Sequence, residues 1–158
     1  MSTDDLTRNL RTEELGERAV LLRTDHESAL DAVREAVTAV GFRIPTTFSP
    51  SSRIDEERGV EMTPYTVLGL GVPAAAEHAL EAGDSRVGAL FPCRVVVREV
   101  EPGLQEVYHL DTMRLARAVG LAPDDERWGT LVAQVERMVE DAFARLGVER
   151  ERRRHPGE

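Results

Sequence analysis

Apolar residues in this chain follow two rhythms, and the switches between them mark out the elements. Ala19-Val20-Leu21-Leu22 reads as a short strand. Thr24 to Glu27 (TDHE) has the spacing of a capping box, whose side chains satisfy the free amides of a helix start. Leu30, Val33, Val37 and Val40 then recur at helical spacing, and Gly41 supplies a left-handed stop. Phe42 to Phe48 resumes as a strand that Pro45 assigns to an edge or a bend. Residues 49–64 are largely polar, with one apolar pair of positions at Ile54 and Val60, and read as a long connection with room for one short helical turn. Tyr65 to Leu70 (YTVLGL) is again a strand. Pro73 pre-sets a helical turn, an alanine-rich helix follows, Gly83 ends it, and Arg86 to Phe91 leads into a valine-rich strand. Two strand–helix–strand units therefore stand in tandem, at 19–48 and 65–97, without shared sequence identity.

The segment EPGL at 101–104 carries proline and glycine where a type II turn wants them. Folding there pairs Val97 with Tyr108, Val95 with Leu110 and Cys93 with Thr112 on one face. The other face pairs Arg98 with Val107, Val96 with His109 and Arg94 with Asp111. That register sets Glu99 against Glu106, its weak point. Its outer face would then mix Val96, Val100 and Val107 with Arg94, Arg98 and His109, too apolar for a freely solvated sheet. Either the chain's own helices or a second subunit covers it, and a symmetric homodimer is the commonest solution.

Asp111 or Thr112 can cap a short helix through Val119, closed by Gly120. Then Trp128, Leu131, Val132, Val135, Met138, Val139, Ala142, Phe143 and Leu146 form one unbroken stripe of a long amphipathic helix, which Gly147 stops. The pattern predicts an α+β fold. A single compact domain over 18–147 carries an antiparallel or mixed sheet with helices packed on it. A polar arm over 1–17 and a charged, disordered tail over 148–158 flank it.

Composition narrows the function classes. At 158 residues and 41% hydrophobic content, one domain with a real core is expected. The formal net charge of −9 disfavours nucleic acid and anionic membrane as partners. No apolar run approaches a membrane span, and the acidic start has no signal-peptide pattern, so a cytoplasmic protein is expected. All 20 basic residues are arginine, which removes lysine Schiff-base chemistry and the lysine-dependent phosphate loop. One cysteine excludes an internal disulfide and multi-cysteine metal sites.

Candidate chemistry is sparse. Cys93 shares strand parity with Val95 and Val97, and an unpaired cysteine packs like a small hydrophobe, so core packing is favoured over a reactive thiolate. His26, His78, His109 and His155 form no HxH or HExxH pair, and no metal site is expected. The sequence GLGVP at 69–73 follows a strand but lacks the dinucleotide glycine spacing. Arg94, Arg98 and His109 on the outer hairpin face form a cationic cluster suited to a small anionic ligand. Structural pairing of Arg94 with Asp111 and Arg98 with Glu106 competes with that reading.

The stretch YTVLGLGVPAAAEHALEAGDSRVGALFPCRVVVREVEPG, followed by a strand ending LDT, resembles the domain-of-unknown-function family 302 over about residues 18–147. Phe91-Pro92-Cys93-Arg94-Val95 is the most specific part. The resemblance implies a compact α+β domain, commonly a homodimer, and haem binding is something it suggests for some members. Two departures are visible: Gly71-Val72-Pro73 replaces a cysteine–asparagine–proline segment, and Asp111-Thr112 replaces an aspartate–proline pair. The expectation is a homodimeric binding or accessory module rather than an enzyme, with Cys93, Arg94, Arg98 and His109 as candidate ligand contacts. The rival is a redox or haem protein using Cys93 or a histidine as iron ligand.

Overall fold

The computed structural model describes residues 16–82, 85–121 and 125–154. The arm over 1–15, the Gly83 stop and residues 155–158 lie outside the described residues. Strand β1 (Arg18–Arg23) leads to α1 (His26–Ala39), then β2 (Arg43–Phe48) and α2 (Pro50–Arg58). Strand β3 (Tyr65–Gly71) is followed by α3 (Pro73–Ala82) and the short α4 (Ser85–Gly88). The hairpin β4 (Cys93–Glu101) and β5 (Leu104–His109) precedes α5 (Thr112–Ala118) and the long α6 (Glu126–Arg154).

The strands form one sheet in the order β1-β5-β4-β3-β2, antiparallel at every pairing. The first strand–helix–strand unit thus sends its two strands to opposite edges, while the hairpin fills the middle. One sheet face buries Leu22, Leu68, Val95, Val97 and Val107. Against it pack α1, through Ala29, Leu30, Val33, Ala36 and Val37, and α6, through Val135, Val139, Ala142 and Leu146. The helical stripes read from the sequence are the surfaces that close this core.

Local chemistry sets the helix ends. Asp25 caps α1, accepting from the Ser28 amide at 2.9 Å, one residue later than the capping box at Thr24 would place it. Gly41 takes φ 105° and turns the chain into β2. The 49–64 connection holds more than one turn: α2 spans nine residues, with Ser49 as N-cap, Pro50 in the first turn and Gly59 closing at φ 62°. Its sequence PSSRIDEER has no apolar stripe, so periodicity gives no sign of it. Asp111 caps α5 by accepting from the Met113 and Arg114 amides, both at 3.0 Å. At the other end α6 runs through Gly147 to Arg154, where the sequence suggested a stop and a disordered tail. One glycine costs a helix only about 1 kcal/mol, and the glutamates and arginines beyond it are good helix formers.

The hairpin register differs from the one expected. Val95 opposes His109, Val96 opposes Tyr108, Val97 opposes Val107 and Arg98 opposes Glu106, with an irregularity between Glu99 and Glu101. The extra residue taken up there slides β5 by one position, and a one-residue slip exchanges its faces. Gln105, Val107 and His109 therefore point inward, while Glu106 and Tyr108 point outward. The Glu99–Glu106 clash disappears, because Glu99 now opposes Gln105.

Candidate functional site

The outer sheet face follows from the pairings. Phe48, Val67, Val96, Tyr108 and Ala19 stand opposite one another in turn, an apolar row crossing all five strands. On one side of the row lie Thr46, Gly69 and Arg94; on the other lie Tyr65, Arg98, Glu106 and Leu21. No described helix buries the row. Phe48 remains 55% exposed, Leu21 43% and Tyr65 37%, while Val67, Val96 and Tyr108 are half-buried. Helices α1 and α6, which close the core, are on the other face.

The four candidate residues separate into two pairs. Arg94 and Arg98 project outward as expected. Arg98 Nε donates to Glu106 at 2.5 Å across the hairpin, so its charge is matched, while Arg94 forms no ion pair among the described residues. His109 does not join them. Its ring is 3% exposed on the inner face, Nδ1 donates to the Arg94 carbonyl at 2.9 Å, and Phe143 lies 6.4 Å away. Burial lowers the affinity of His109 for a proton. The expected cluster of three cationic side chains is therefore two arginines, one of them neutralised.

Cys93 lies on the inner face as its parity implied, packed against the main core, with Sγ 3.9 Å from Thr112 Oγ1. Burial pushes its thiol upward in pKa, outweighing the Thr112 contact. Beyond it, Asp111 is likewise raised by burial. Arg114 pairs with Glu136, which is held low by that guanidinium.

A second inner-face cluster was not foreseen. His26 Nδ1 meets Gln105 Oε1 at 2.8 Å and Nε2 meets Thr66 Oγ1 at 2.9 Å. Gln105, fully buried, donates through Nε2 to Glu99 Oε2 at 3.0 Å and to the Thr24 carbonyl at 3.4 Å. A carboxylate only accepts, so Glu99 fixes which way the amide points. The amide oxygen then faces His26, which places a proton on Nδ1. In the neutral ring, Thr66 donates to Nε2. These residues come from α1, β3, β4 and β5, and no sequence spacing connects them.

The family model for the domain of unknown function DUF302 matches residues 19–146. The chain belongs to that family. A crystal structure of an uncharacterized conserved DUF302 protein from Bacillus stearothermophilus is similar in fold. Its TM-score is 0.66 at 21% identity, over 83% of this chain and 98% of that one. Among curated proteins nothing matches this chain. A shared fold carries no activity with it.

The haem suggested for some DUF302 proteins can be tested against the residues here. The cavity beside Cys93, lined by Phe42, Leu70, Phe91, Met113 and Trp128, holds about 20 Å³. Small-molecule pockets usually offer about 300 Å³ or more, so a porphyrin does not fit against this thiol. His109 is held in packed surroundings. His78 stacks on Trp128 with ring centroids 4.9 Å apart, and its ring nitrogens lie 3.9 Å from Glu81 and 3.8 Å from Asp125, beyond hydrogen-bond reach. Both His78 nitrogens and Trp128 Nε1 are buried without a hydrogen-bond partner among the described residues. The surroundings of Cys93, His78 and His109 do not fit a haem site, His155 lies outside the described residues, and no chemistry is routed through a haem.

Proposed function

We propose that this chain is a homodimeric binding or accessory module rather than an enzyme, with two copies packed through their outer sheet faces. The observation that carries the reading is the apolar row from Phe48 to Ala19, which no helix among the described residues buries, on a sheet whose other face packs against α1 and α6. A second copy suits the row because the pattern is self-complementary. β4 is the central strand, with Val96 near its middle. A two-fold axis along β4 sets Phe48 of one copy opposite Ala19 of the other, and Tyr108 opposite Val67, large against small at each pairing. Tyr65 then opposes Glu106, where a phenol can donate to a carboxylate. On this axis the Arg94 side chains of the two copies face one another toward the end of β4, and with Arg98 paired to Glu106 they are the cations left for a small anionic ligand. The lone thiol suits a reducing compartment, and we place the protein in the cytoplasm. Among the described residues no helix is long and apolar enough to cross a membrane. Sedimentation at micromolar concentration tests the reading: the expected species has twice the 17.5 kDa chain mass, and a sharp monomer overturns it.

A further inference from the structure

A groove of about 410 Å³ lies where α2 and the segment after it face the ends of β3 and β4. Its volume is within the range of small-molecule sites. Pro50, Ile54 and Met62 supply an apolar wall, and Tyr65, Arg98 and Glu99 the remaining side. The groove is built from well-anchored parts. Ser51 Oγ accepts from the Tyr65 amide at 3.0 Å and lies 3.2 Å from the Tyr65 carbonyl, fastening α2 to the start of β3. Glu99 is fastened from behind by the fully buried Gln105, itself held by His26.

The charge balance inside the groove identifies what it takes. Arg98 is matched by Glu106. Glu99 accepts from a neutral amide and has no cationic partner among the described residues. One uncompensated carboxylate therefore lines a largely apolar groove that also has an aromatic residue at its rim. Such a combination recognises an organic cation through a charge-assisted hydrogen bond and, where a ring face is offered, cation–π attraction. We infer that this groove binds a small organic amine, its ammonium on Glu99 and its apolar body against Ile54 and Met62. Gln105 and His26 act as positioning residues that hold the carboxylate in place. The inference adds a cationic ligand to the binding-module reading and rests on it; Tyr65 and Arg98 also border the proposed dimer contact, so Glu99, Ile54 and Met62 carry the inference.

NMR titration of the full-length protein with benzylammonium, benzyl alcohol and benzoate tests this with three probes of one shape and different charge. Benzylammonium is expected to shift the Gln105 side-chain amide and the His26 ring resonances saturably, and the other two to leave them in place. Glu99→Gln keeps an acceptor for Gln105 but removes the charge, and should weaken the binding about tenfold, the scale of losing a charged hydrogen-bond partner. Glu101→Gln, exposed on the same strand, should leave the affinity within roughly twofold, as a solvated surface charge would. Equal weakening by both substitutions, or none by either, means diffuse attraction to an acidic surface and overturns the inference. Benzoate or benzyl alcohol acting on the same resonances as strongly as the amine overturns the cation class while leaving a binding module standing. If no probe moves them, the groove is not a site for this class, whatever the chain binds elsewhere.

Discussion

Burial acts on Cys93 and His109 through opposite charges and to one end, because the interior disfavours a thiolate and an imidazolium alike. Cys93 should therefore react slowly with a thiol reagent in the native protein and at the ordinary rate once the chain is unfolded in denaturant. Rapid native labelling would remove it from the core. His109 gives a pH dependence whose sign follows from its lowered folded-state affinity. The unfolded chain binds the proton more readily, so the stability His109 contributes is complete above its ordinary value near 6.5 and is lost as pH falls through the folded value. Asp111 works in the other direction, since its raised value gives stability at low pH that is lost as pH rises. The midpoint of thermal unfolding should decline from pH 7.5 to pH 5. His109→Gln, which can keep a donor for the Arg94 carbonyl, should flatten that decline. An unchanged slope in the variant would assign the acid sensitivity to other groups.

Close approach of elements is most severe at Gly69 in β3. A Cβ there would stand 2.1 Å from Thr46 Oγ1 on β2 and 2.6 Å from Pro92 Cγ. The threonine hydroxyl can rotate away, but the proline ring is tied to the backbone leading into β4. Gly69→Ala should cost about 1–3 kcal/mol, the usual scale of overpacking. A denaturant midpoint equal to the wild-type value would mean that the three segments are not packed this closely. Elements were otherwise largely legible: the stripes of α1 and α6, the Asp111 cap and the alternation in β3 and β4 announce themselves locally. Helix α2 escaped because Ile54 is its one large apolar side chain and makes no stripe, although Ser49, Pro50 and Gly59 bracket it with start and stop signals. The hairpin register escaped for a different reason. A regular hairpin would put two valines of β4 opposite Tyr108 and Leu110, whereas the true one buries Gln105 and His109, which look wrong for a core. Their partners, His26 for the first and the Arg94 carbonyl for the second, are brought in by the fold. Parity placed Cys93, Arg94 and Arg98 correctly, and the bulge near Val100 moved His109 to the opposite face.

At the scale of the whole molecule, no helix among the described residues covers the row on the outer sheet face, and the slipped register exchanges Val107 and His109 on that face for Glu106 and Tyr108. Tyr108 thereby joins Val96 in the central row. Seen this way, Arg94 and the Arg98–Glu106 pair form the polar margins of an interface instead of the heart of a ligand site. Val96, on the central strand and near the proposed axis, is the position where one change is felt by both copies. Val96→Asp would bring two carboxylates together at the centre of the contact, removing apolar burial and adding like-charge repulsion twice over. Within a single chain the same side chain points toward water, so the fold should tolerate it. The expected outcome is a monomer by sedimentation with a native far-ultraviolet circular dichroism spectrum. Arg23→Ala, at the exposed end of β1 on the same face, should leave the dimer intact. A Val96→Asp protein that remains dimeric would place the contact elsewhere on the surface and detach self-association from the apolar row.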